Sequence, residues 1–226
     1  MAAPNVTRRK TRRRKHTGRI QVAGGVIIVL GVLGILILSL TANRGTDVAI
    51  VPAESRLEYD PVLGNPDAPV TIIEYGAYGC SACRAWHQAG IIEQILAEFP
   101  GQVRFVFRDF PVIVPAYDRM AAATAQCALD QSLEGFWRYH DLLYTAASPG
   151  NSQEQLLELG AQAGLDPQLL QACATAGTHR QTVEYDLSRA MALALPGTPA
   201  FLVNGARVFN ATPDVLRTEI IRVLQR

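Results

Sequence analysis

The first 19 residues of the chain contain no acidic side chain, and residues 20–43 contain no charged side chain of either sign. Eight of the 21 Lys and Arg residues lie in that first segment. Residues 20–226 therefore carry 13 cations against 20 acids, a net charge of −7. Binding to nucleic-acid phosphates needs clustered Lys and Arg. The acidic balance of the body argues against a nucleic-acid-binding domain.

Sequence repeats and low-complexity tracts are also missing. No unit of about 20–50 residues recurs, which excludes repeat architectures such as solenoids and propellers. The 18 Gly and 13 Pro follow no short period, which excludes a collagen-like chain. Apolar residues make up 49% of the sequence, enough to exclude a chain that is disordered throughout.

The uncharged stretch is typical of a membrane-spanning helix. With a rise of about 1.5 Å per residue, Ile20–Leu40 would be about 31 Å long, which matches the roughly 30 Å hydrocarbon core of a bilayer. A cleaved signal peptide would have an apolar region of only about 7–15 residues and a small residue where Leu40 stands. We therefore expect an uncleaved anchor at residues 20–42, a basic cytoplasmic tail at residues 1–19 and a body that faces outward.

The rest of the chain is predicted to form a linker and one α/β domain. Residues 43–64 mix Pro, Gly, Asp and Glu without a clear period, as linkers do. Residues 65–226 are long enough for a single hydrophobic core. Within them we expect a strand at residues 70–75, a helix over residues 80–99 and a second strand that starts at Val103.

The second half of the domain is predicted to hold a helical block and a hairpin. Residues 116–194, approximately, are rich in Ala and Leu, with interruptions that indicate several helices. Asn204-Gly205 between two apolar runs is the strongest two-residue hairpin signal. Thr212-Pro213 then opens a final helix. The predicted order is βαβ, a helical block, and ββα.

The chemistry centres on the motif Cys80-Ser81-Ala82-Cys83 at the start of the first helix. Two thiols at this spacing can close a small disulfide ring, and helix N-terminal amides stabilise the first sulfur as a thiolate. Because only the thiolate attacks a disulfide, Cys80 is predicted to be the nucleophile and Cys83 the resolving thiol.

Half of a zinc site has the same cysteine spacing as this motif. Zinc needs two more ligands, usually as a second close pair, whereas Cys127 and Cys173 are isolated from each other in the sequence. Redox chemistry is therefore the preferred interpretation, and we expect neither a metal nor a cofactor.

Two further residues are candidates for the same site. Glu74 interrupts an apolar strand; it is either an exposed residue of a half-buried strand or a buried carboxylate of raised pKa that exchanges a proton with Cys83. Pro199 directly precedes another strand, and a cis peptide bond there would leave the backbone of Thr198 free to pair with an extended substrate. On sequence alone the trans form is the commoner state.

The sequence resembles the DsbA-like thiol–disulfide oxidoreductases of the thioredoxin superfamily in four segments, NPDAPVTIIEYGAYGCSACRAWH, VRFVFRDFPV, AAATAQCALDQSLEGFWRYHDLLY and GTPAFLVNG, within residues 65–224. The resemblance implies a thioredoxin fold split by a helical insertion. It places the family's motif positions at Cys80, Cys83, a buried Glu74 and a cis Pro199. The Ser-Ala dipeptide between the cysteines departs from the Pro-His of DsbA and the Gly-Pro of thioredoxin, so no redox potential is carried over.

The resemblance also implies partners. Membrane-tethered members of the family oxidise exported proteins that have free cysteines, and a quinone-linked membrane protein of the DsbB or vitamin K epoxide reductase type reoxidises them. Two other functions stay open. One is a reductase or isomerase of the same fold, and the other is a tethered chaperone that uses the groove beside Pro199 without redox chemistry.

Cys127 and Cys173 are the remaining cysteines. Once Cys80 pairs with Cys83, they are the one pairing left, and disulfides persist outside the cytoplasm. We predict a structural disulfide in the helical block, with two buried free thiols as the alternative. His179 has no evident ligand partner in the sequence.

Overall fold

A computed structural model describes residues 60–226. The predicted tail and anchor, and most of the predicted linker, lie outside the described residues. Between residues 60 and 226 no helix combines the length and the apolar character that a membrane span requires.

Five strands form one mixed sheet in the order β1-β3-β2-β4-β5. Strands β2 and β3 are parallel, and the other neighbours are antiparallel. The strand bounds are Val62–Gly64 for β1, Val70–Gly76 for β2, Val103–Asp109 for β3, Ala200–Val203 for β4 and Ala206–Val208 for β5.

Eight helices surround this sheet in the described part of the chain. Two follow β2, five lie between β3 and β4, and one follows β5, which is the predicted order of elements. The helix bounds are Ser81–Gln88 for α1, Ile91–Glu98 for α2, Pro115–Gln131 for α3, Leu133–Thr145 for α4, Gln153–Gln162 for α5, Pro167–Ala176 for α6, Arg180–Ala192 for α7 and Pro213–Leu224 for α8.

Strand β2 is buried along its whole length because helices cover both faces of the sheet. On one face Ile72 packs with Phe105 and Phe107 of β3 in the larger hydrophobic core. On the other face Ile73 and Tyr75 form a smaller core that includes residues of α7. The sequence directly before the Cys-x-x-Cys motif is therefore one of the most firmly packed parts of the domain.

The hairpin between β4 and β5 forms where the sequence predicted it. Asn204 and Gly205 both have positive φ angles, 45° and 77°, as a tight two-residue hairpin turn requires. The Asn204 side chain also joins the hairpin to the start of β2, because its Oδ1 accepts a hydrogen bond from Thr71 N at 2.7 Å.

The predicted helix over residues 80–99 is two helices in the structure. Helix α1 ends at Gln88, and Gly90 takes a left-handed conformation with φ 60° before α2 begins. Glycine adopts that conformation without the steric cost of a Cβ atom. The apolar spacing of residues 92–99 was a correct helix signal, but it belongs to α2 alone.

The predicted linker also ends earlier than residue 64. Strand β1 pairs with β3 at the sheet edge. The buried Asp60 carboxylate accepts two hydrogen bonds from Arg108 of β3, at 2.5 and 3.1 Å. Removing one partner of such a buried ion pair typically costs about 3–5 kcal/mol, because the other charge is left without compensation. Residues 60–64 are therefore part of the folded domain.

A disulfide joins α3 to α6 within the helical block. Cys127 and Cys173 are bonded, with their Cα atoms 5.9 Å apart, which is the predicted pairing and not the alternative of two free thiols. The loop that it closes spans 46 residues. In the chain-entropy model such a loop is worth about 4 kcal/mol of stability.

Candidate active site

The turn that carries the chemistry follows β2. Residues 77–79 lead from the end of the strand into α1, and Cys80 is the N-cap residue of that helix. The backbone N–H of Cys80 donates to the carbonyl oxygen of Ala77 at 3.0 Å, which closes the turn. The first N–H groups of a helix lack intrahelical acceptors, so they point toward the side chain of the N-cap residue.

Asp118 of α3 holds this turn from the opposite side. Its buried carboxylate accepts hydrogen bonds from the backbone N–H groups of Gly79, Ile113 and Val114, at 2.7, 3.0 and 2.8 Å. A Cβ atom at position 79 would lie 2.5 Å from Asp118 Oδ1, so the backbone can approach the carboxylate only as glycine.

Asp118 was not among the candidates from the sequence. The signal available there is an acidic residue in the first turn of a helix, which usually indicates only a helix start. Its hydrogen bond to Gly79 joins residues 39 positions apart, and no local pattern reports that contact.

The Cys80 sulfur is stabilised as a thiolate. Hydrogen bonding from the Cys83 thiol lowers the pKa of Cys80 to about 5 against the opposing effect of burial, and the backbone amides of Ala82 and Cys83 add to the effect. The amide nitrogen of Cys83 lies 3.4 Å from the Cys80 sulfur. At neutral pH Cys80 is therefore ionised when the pair is reduced.

Cys83 keeps its proton under the same conditions. The hydrogen bond to Cys80 and burial both raise the pKa of the Cys83 thiol. Exposure separates the two residues only slightly, since Cys80 is 5% exposed and Cys83 is 1% exposed. The structure distinguishes the two thiols by charge more than by access.

Glu74 is buried in the middle of β2, 6% exposed, with Phe107 and Phe201 as its neighbours on the adjoining strands. Desolvation, together with the nearby charges of Cys80 and Glu93, raises the pKa of its carboxyl to about 8. The alternative of an exposed residue on a half-buried strand is therefore wrong. At neutral pH the carboxyl is protonated, and its ionised form is coupled electrostatically to the charges of both cysteines.

A cavity of about 200 Å³ extends from Glu74 toward the surface. Its polar lining includes Glu93 and His87, and His87 forms an ion pair with Asp141 at 3.2 Å. The half-buried rings of Trp86 and Trp137 complete part of the wall. The buried carboxyl thus borders a cavity whose wall also holds polar side chains.

The peptide bond between Thr198 and Pro199 is cis, and β4 begins at the next residue. The carbonyl oxygen of Thr198 lies 3.3 Å from the Cys80 sulfur. Ala200 of the same segment pairs with Tyr75 of β2, so the sheet fixes this segment next to the Cys80 turn. The structure brings together all four predicted site residues, Glu74, Cys80, Cys83 and Pro199.

Known proteins resemble this chain along most of its length. A family model described as thioredoxin matches residues 56–221. A protein of Bacillus anthracis named probable disulfide bond formation protein D is 25% identical over 209 residues, which cover 89% of this chain and 92% of that protein. The oxidised crystal structure of BdbD from Bacillus subtilis is 27% identical with a TM-score of 0.67, covering 77% of this chain and 96% of BdbD.

A different kind of relative matches over a shorter part of its own length. The Na(+)/H(+) antiporter NhaA 1 of Salinispora arenicola is 33% identical over 171 residues, which cover 74% of this chain and 25% of the antiporter. The chain therefore spans about a quarter of that antiporter and nearly the whole of the disulfide bond formation protein.

The lowered pKa of Cys80 predicts its alkylation kinetics. In the reduced chain, the rate at which iodoacetamide labels Cys80 should follow the thiolate fraction, with a midpoint near pH 5 in place of the roughly 8.5 of an ordinary thiol. Peptide mass spectrometry would assign the label to Cys80.

The matched variant is Cys83→Ala, which removes the leading hydrogen bond to the thiolate and should move the midpoint to higher pH. In the chain unfolded by denaturant, the midpoint of Cys80 labelling should return to the roughly 8.5 of an ordinary thiol. A folded parent that titrates near pH 8.5 would contradict the thiolate assignment.

Proposed function

Since the chain belongs to the thioredoxin family and is a DsbA-like thiol–disulfide oxidoreductase, we propose that it introduces disulfides into exported proteins through the Cys80–Cys83 pair. The domain would act outside the cytoplasm, tethered by the apolar segment at residues 20–42. The observation that carries the direction of the reaction is the low pKa of Cys80.

A low pKa at Cys80 favours donation of the disulfide. Ionisation lowers the free energy of the reduced pair relative to the disulfide, so the disulfide becomes a stronger oxidant. This stabilisation is present at neutral pH and is lost as the pH falls through about 5, where Cys80 takes up its proton. In a reductase the disulfide would instead have to be stabilised relative to the reduced pair.

The exchange begins when a substrate thiolate attacks the Cys80 sulfur of the oxidised pair. The bond between the two cysteines breaks, Cys83 departs with the electron pair, and Cys80 holds the substrate in a mixed disulfide. A second substrate thiolate then attacks the substrate's own sulfur, and Cys80 departs as a thiolate. The substrate has lost two electrons to the pair, and a low pKa makes Cys80 the better leaving group.

We assign to Glu74 the supply of the proton that the first step requires. The departing Cys83 thiolate takes up a proton from the protonated Glu74 carboxyl, and a negative charge left on Glu74 in turn raises the pKa of Cys83. With a pKa of about 8 the carboxyl holds its proton at neutral pH and can still exchange it. The cavity beside His87 and Glu93 gives Glu74 a path for recovering the proton from solvent.

The cis-proline segment is the proposed docking position for the substrate backbone. Thr198 and Pro199 are both half-buried and lie next to the Cys80 sulfur. An extended substrate chain that pairs with the backbone of Thr198 would bring its cysteine to that sulfur. This use of a free backbone edge resembles strand addition in peptide recognition.

The tether and the reoxidising partner complete the proposal. Eight cations before the uncharged segment place the N-terminus in the cytoplasm under the positive-inside rule. After each exchange the reduced pair must lose two electrons, and a DsbB-like or vitamin K epoxide reductase-like quinone reductase in the same membrane would accept them. Tethering confines the two reactants to one surface.

The redox state of the pair in cells tests the proposed direction. Acid quenching followed by thiol alkylation should find Cys80 and Cys83 largely oxidised, as an oxidase awaiting substrate requires. A largely reduced pair would instead identify a reductase or isomerase.

Two variants serve as controls in the same cells. Cys83→Ser should accumulate mixed disulfides with exported proteins that dissolve on reduction, because the resolving thiol is missing. Cys80→Ser should accumulate none. If both variants accumulated mixed disulfides equally, or if neither did, the exchange steps above would be wrong and the chaperone function would be favoured.

Replacing the buried acid should slow the exchange. In Glu74→Gln the amide keeps the shape of the side chain but cannot donate a proton, so oxidation of a reduced model peptide should fall by about 100-fold, within the usual range for general acid–base catalysis. Stopped-flow rates between pH 6 and 9 would also lose the inflection near pH 8.

Glu93→Gln is the matched control for that variant. Glu93 is exposed, and its charge contributes to the raised pKa of Glu74. Removing that charge should move the inflection to lower pH without abolishing it. Identical pH profiles for Glu74→Gln and the parent would remove Glu74 from the mechanism.

Protease treatment tests the topology. Added to intact protoplasts, protease should remove the body beyond Arg44 and leave the basic tail protected. Protoplasts lysed before the protease is added provide the control, because the tail should be digested there as well. A protected body with a digested tail would reverse the orientation.

A further inference from the structure

The disulfide of the helical block has a histidine beside it. The sulfur atoms of Cys127 and Cys173 and a ring nitrogen of His179 all lie within 4.8 Å of one another. Cys127 belongs to α3, Cys173 to α6, and His179 is the N-cap residue of α7. Three separate helices therefore deliver one potential metal ligand each to the same point.

An aspartate completes the group. Asp130 Oδ2 lies 2.6 Å from His179 Nε2 and 3.8 Å from the Cys173 sulfur. On the other side of the imidazole ring, Thr182 Oγ1 lies 3.5 Å from Nδ1. A carboxylate and a hydroxyl thus hold the ring in position next to the two sulfurs.

We propose that Cys127, Cys173, His179 and Asp130 form a zinc site when the Cys127–Cys173 disulfide is reduced. Two thiolates, an imidazole nitrogen and a carboxylate oxygen are all ligands that zinc accepts, and four of them satisfy its tetrahedral preference. With the two sulfurs bonded to each other the site cannot form. The disulfide and the metal are therefore alternative occupants of one position.

The conversion balances as a two-electron exchange. A dithiol reductant gives two electrons and two protons to the disulfide and becomes a disulfide itself, which leaves Cys127 and Cys173 as thiols. Zinc binding then displaces the two thiol protons to solvent, since only the thiolates are ligands. In the reverse direction a disulfide compound takes two electrons from the two thiolates and is itself reduced to thiolates, the Cys127–Cys173 bond forms again, and the zinc ion leaves.

The cluster is reachable from solvent on one side. Cys173 is half-buried, the His179 side chain is 17% exposed, and the Asp130 side chain is 52% exposed. Cys127 is buried. A reductant would therefore attack at Cys173, and a metal ion would enter from the side of His179 and Asp130.

Either occupant would fasten the helical block. The disulfide joins α3 to α6. A bound zinc would join the same two helices and would add the start of α7 through His179. The reduced domain would thus keep a cross-link at the point where it loses its disulfide.

Metal titration of the full chain tests the site. The starting protein carries Cys80→Ser and Cys83→Ser, so that the active-site thiols bind no metal. After reduction with a phosphine, which competes weakly for zinc, the chain should bind one equivalent of Co²⁺ with the visible bands of tetrahedral thiolate coordination. Zn²⁺ should displace the cobalt. The oxidised chain should bind neither ion.

His179→Ala and His87→Ala form a matched pair of variants. Each histidine lies beside an aspartate and each side chain is 17% exposed, but only His179 has sulfur atoms as neighbours. Losing a ligand should weaken zinc binding by more than the roughly 10–100-fold typical of outer contacts. His87→Ala should bind as the parent does, and Asp130→Asn should lie between the two.

Thermal melting keeps the test decisive if reduction loosens the helical block. Zinc should raise the melting temperature of the reduced parent, because an ion that binds only the folded state stabilises it by mass action. It should leave the oxidised parent and reduced His179→Ala unchanged. Equal binding by reduced and oxidised chains, or by the two histidine variants, would overturn the proposal and leave the pair as a disulfide only.

Discussion

The reactivity of this domain depends on the placement of one sulfur atom at the N-cap of a helix. The first amides of α1 and the Cys83 thiol all lie close to the Cys80 sulfur, which is where a negative charge is most strongly stabilised. Three other parts of the chain keep it there. Strand β2 fixes the start of the turn, Asp118 holds its middle, and the segment with Pro199 covers its outer side.

Burial raises the pKa of both Glu74 and Cys80, yet the two groups end in opposite protonation states at neutral pH. The carboxyl of Glu74 has aromatic neighbours on both adjoining strands and keeps its proton up to about pH 8. The Cys80 thiol is also buried, yet hydrogen-bond donors surround it and it loses its proton near pH 5. The usual order of acidity between a carboxylic acid and a thiol is thereby reversed. Hydrogen-bond donors, and not exposure to water, decide which group carries the charge.

Local patterns were enough to predict most of the secondary structure and the cysteine motif. The strands on either side of α1 and α2, the hairpin at Asn204 and the helix after Thr212 each have a sequence signal within a few residues. The break at Gly90 was missed because the apolar spacing of α2 continues the appearance of a helix. Strand β1 has only three residues, and its partner lies more than 40 residues later, so its pairing leaves no local signal.

The parts of the site that escaped prediction are those that arise from distant contacts. The helix start predicted the lowered pKa of Cys80, and a raised pKa was one of two alternatives for Glu74, but the low exposure of Cys80 depends on what packs around it. The role of Asp118 depends on a contact between the first turn of α3 and a turn far earlier in the chain. The cis state of Pro199 was implied by the family resemblance, whereas sequence alone favoured trans.

Both ends of the helical insertion meet the turn that carries Cys80. Its first helix supplies Asp118, which binds the amide of Gly79, and the chain that leaves its last helix becomes the Thr198–Pro199 segment. The insertion is therefore not an appendage that can be trimmed. A minimal thioredoxin cut from this chain by joining β3 directly to β4 would lose the carboxylate that anchors the reactive loop, and any shortened version has to replace that anchor from elsewhere.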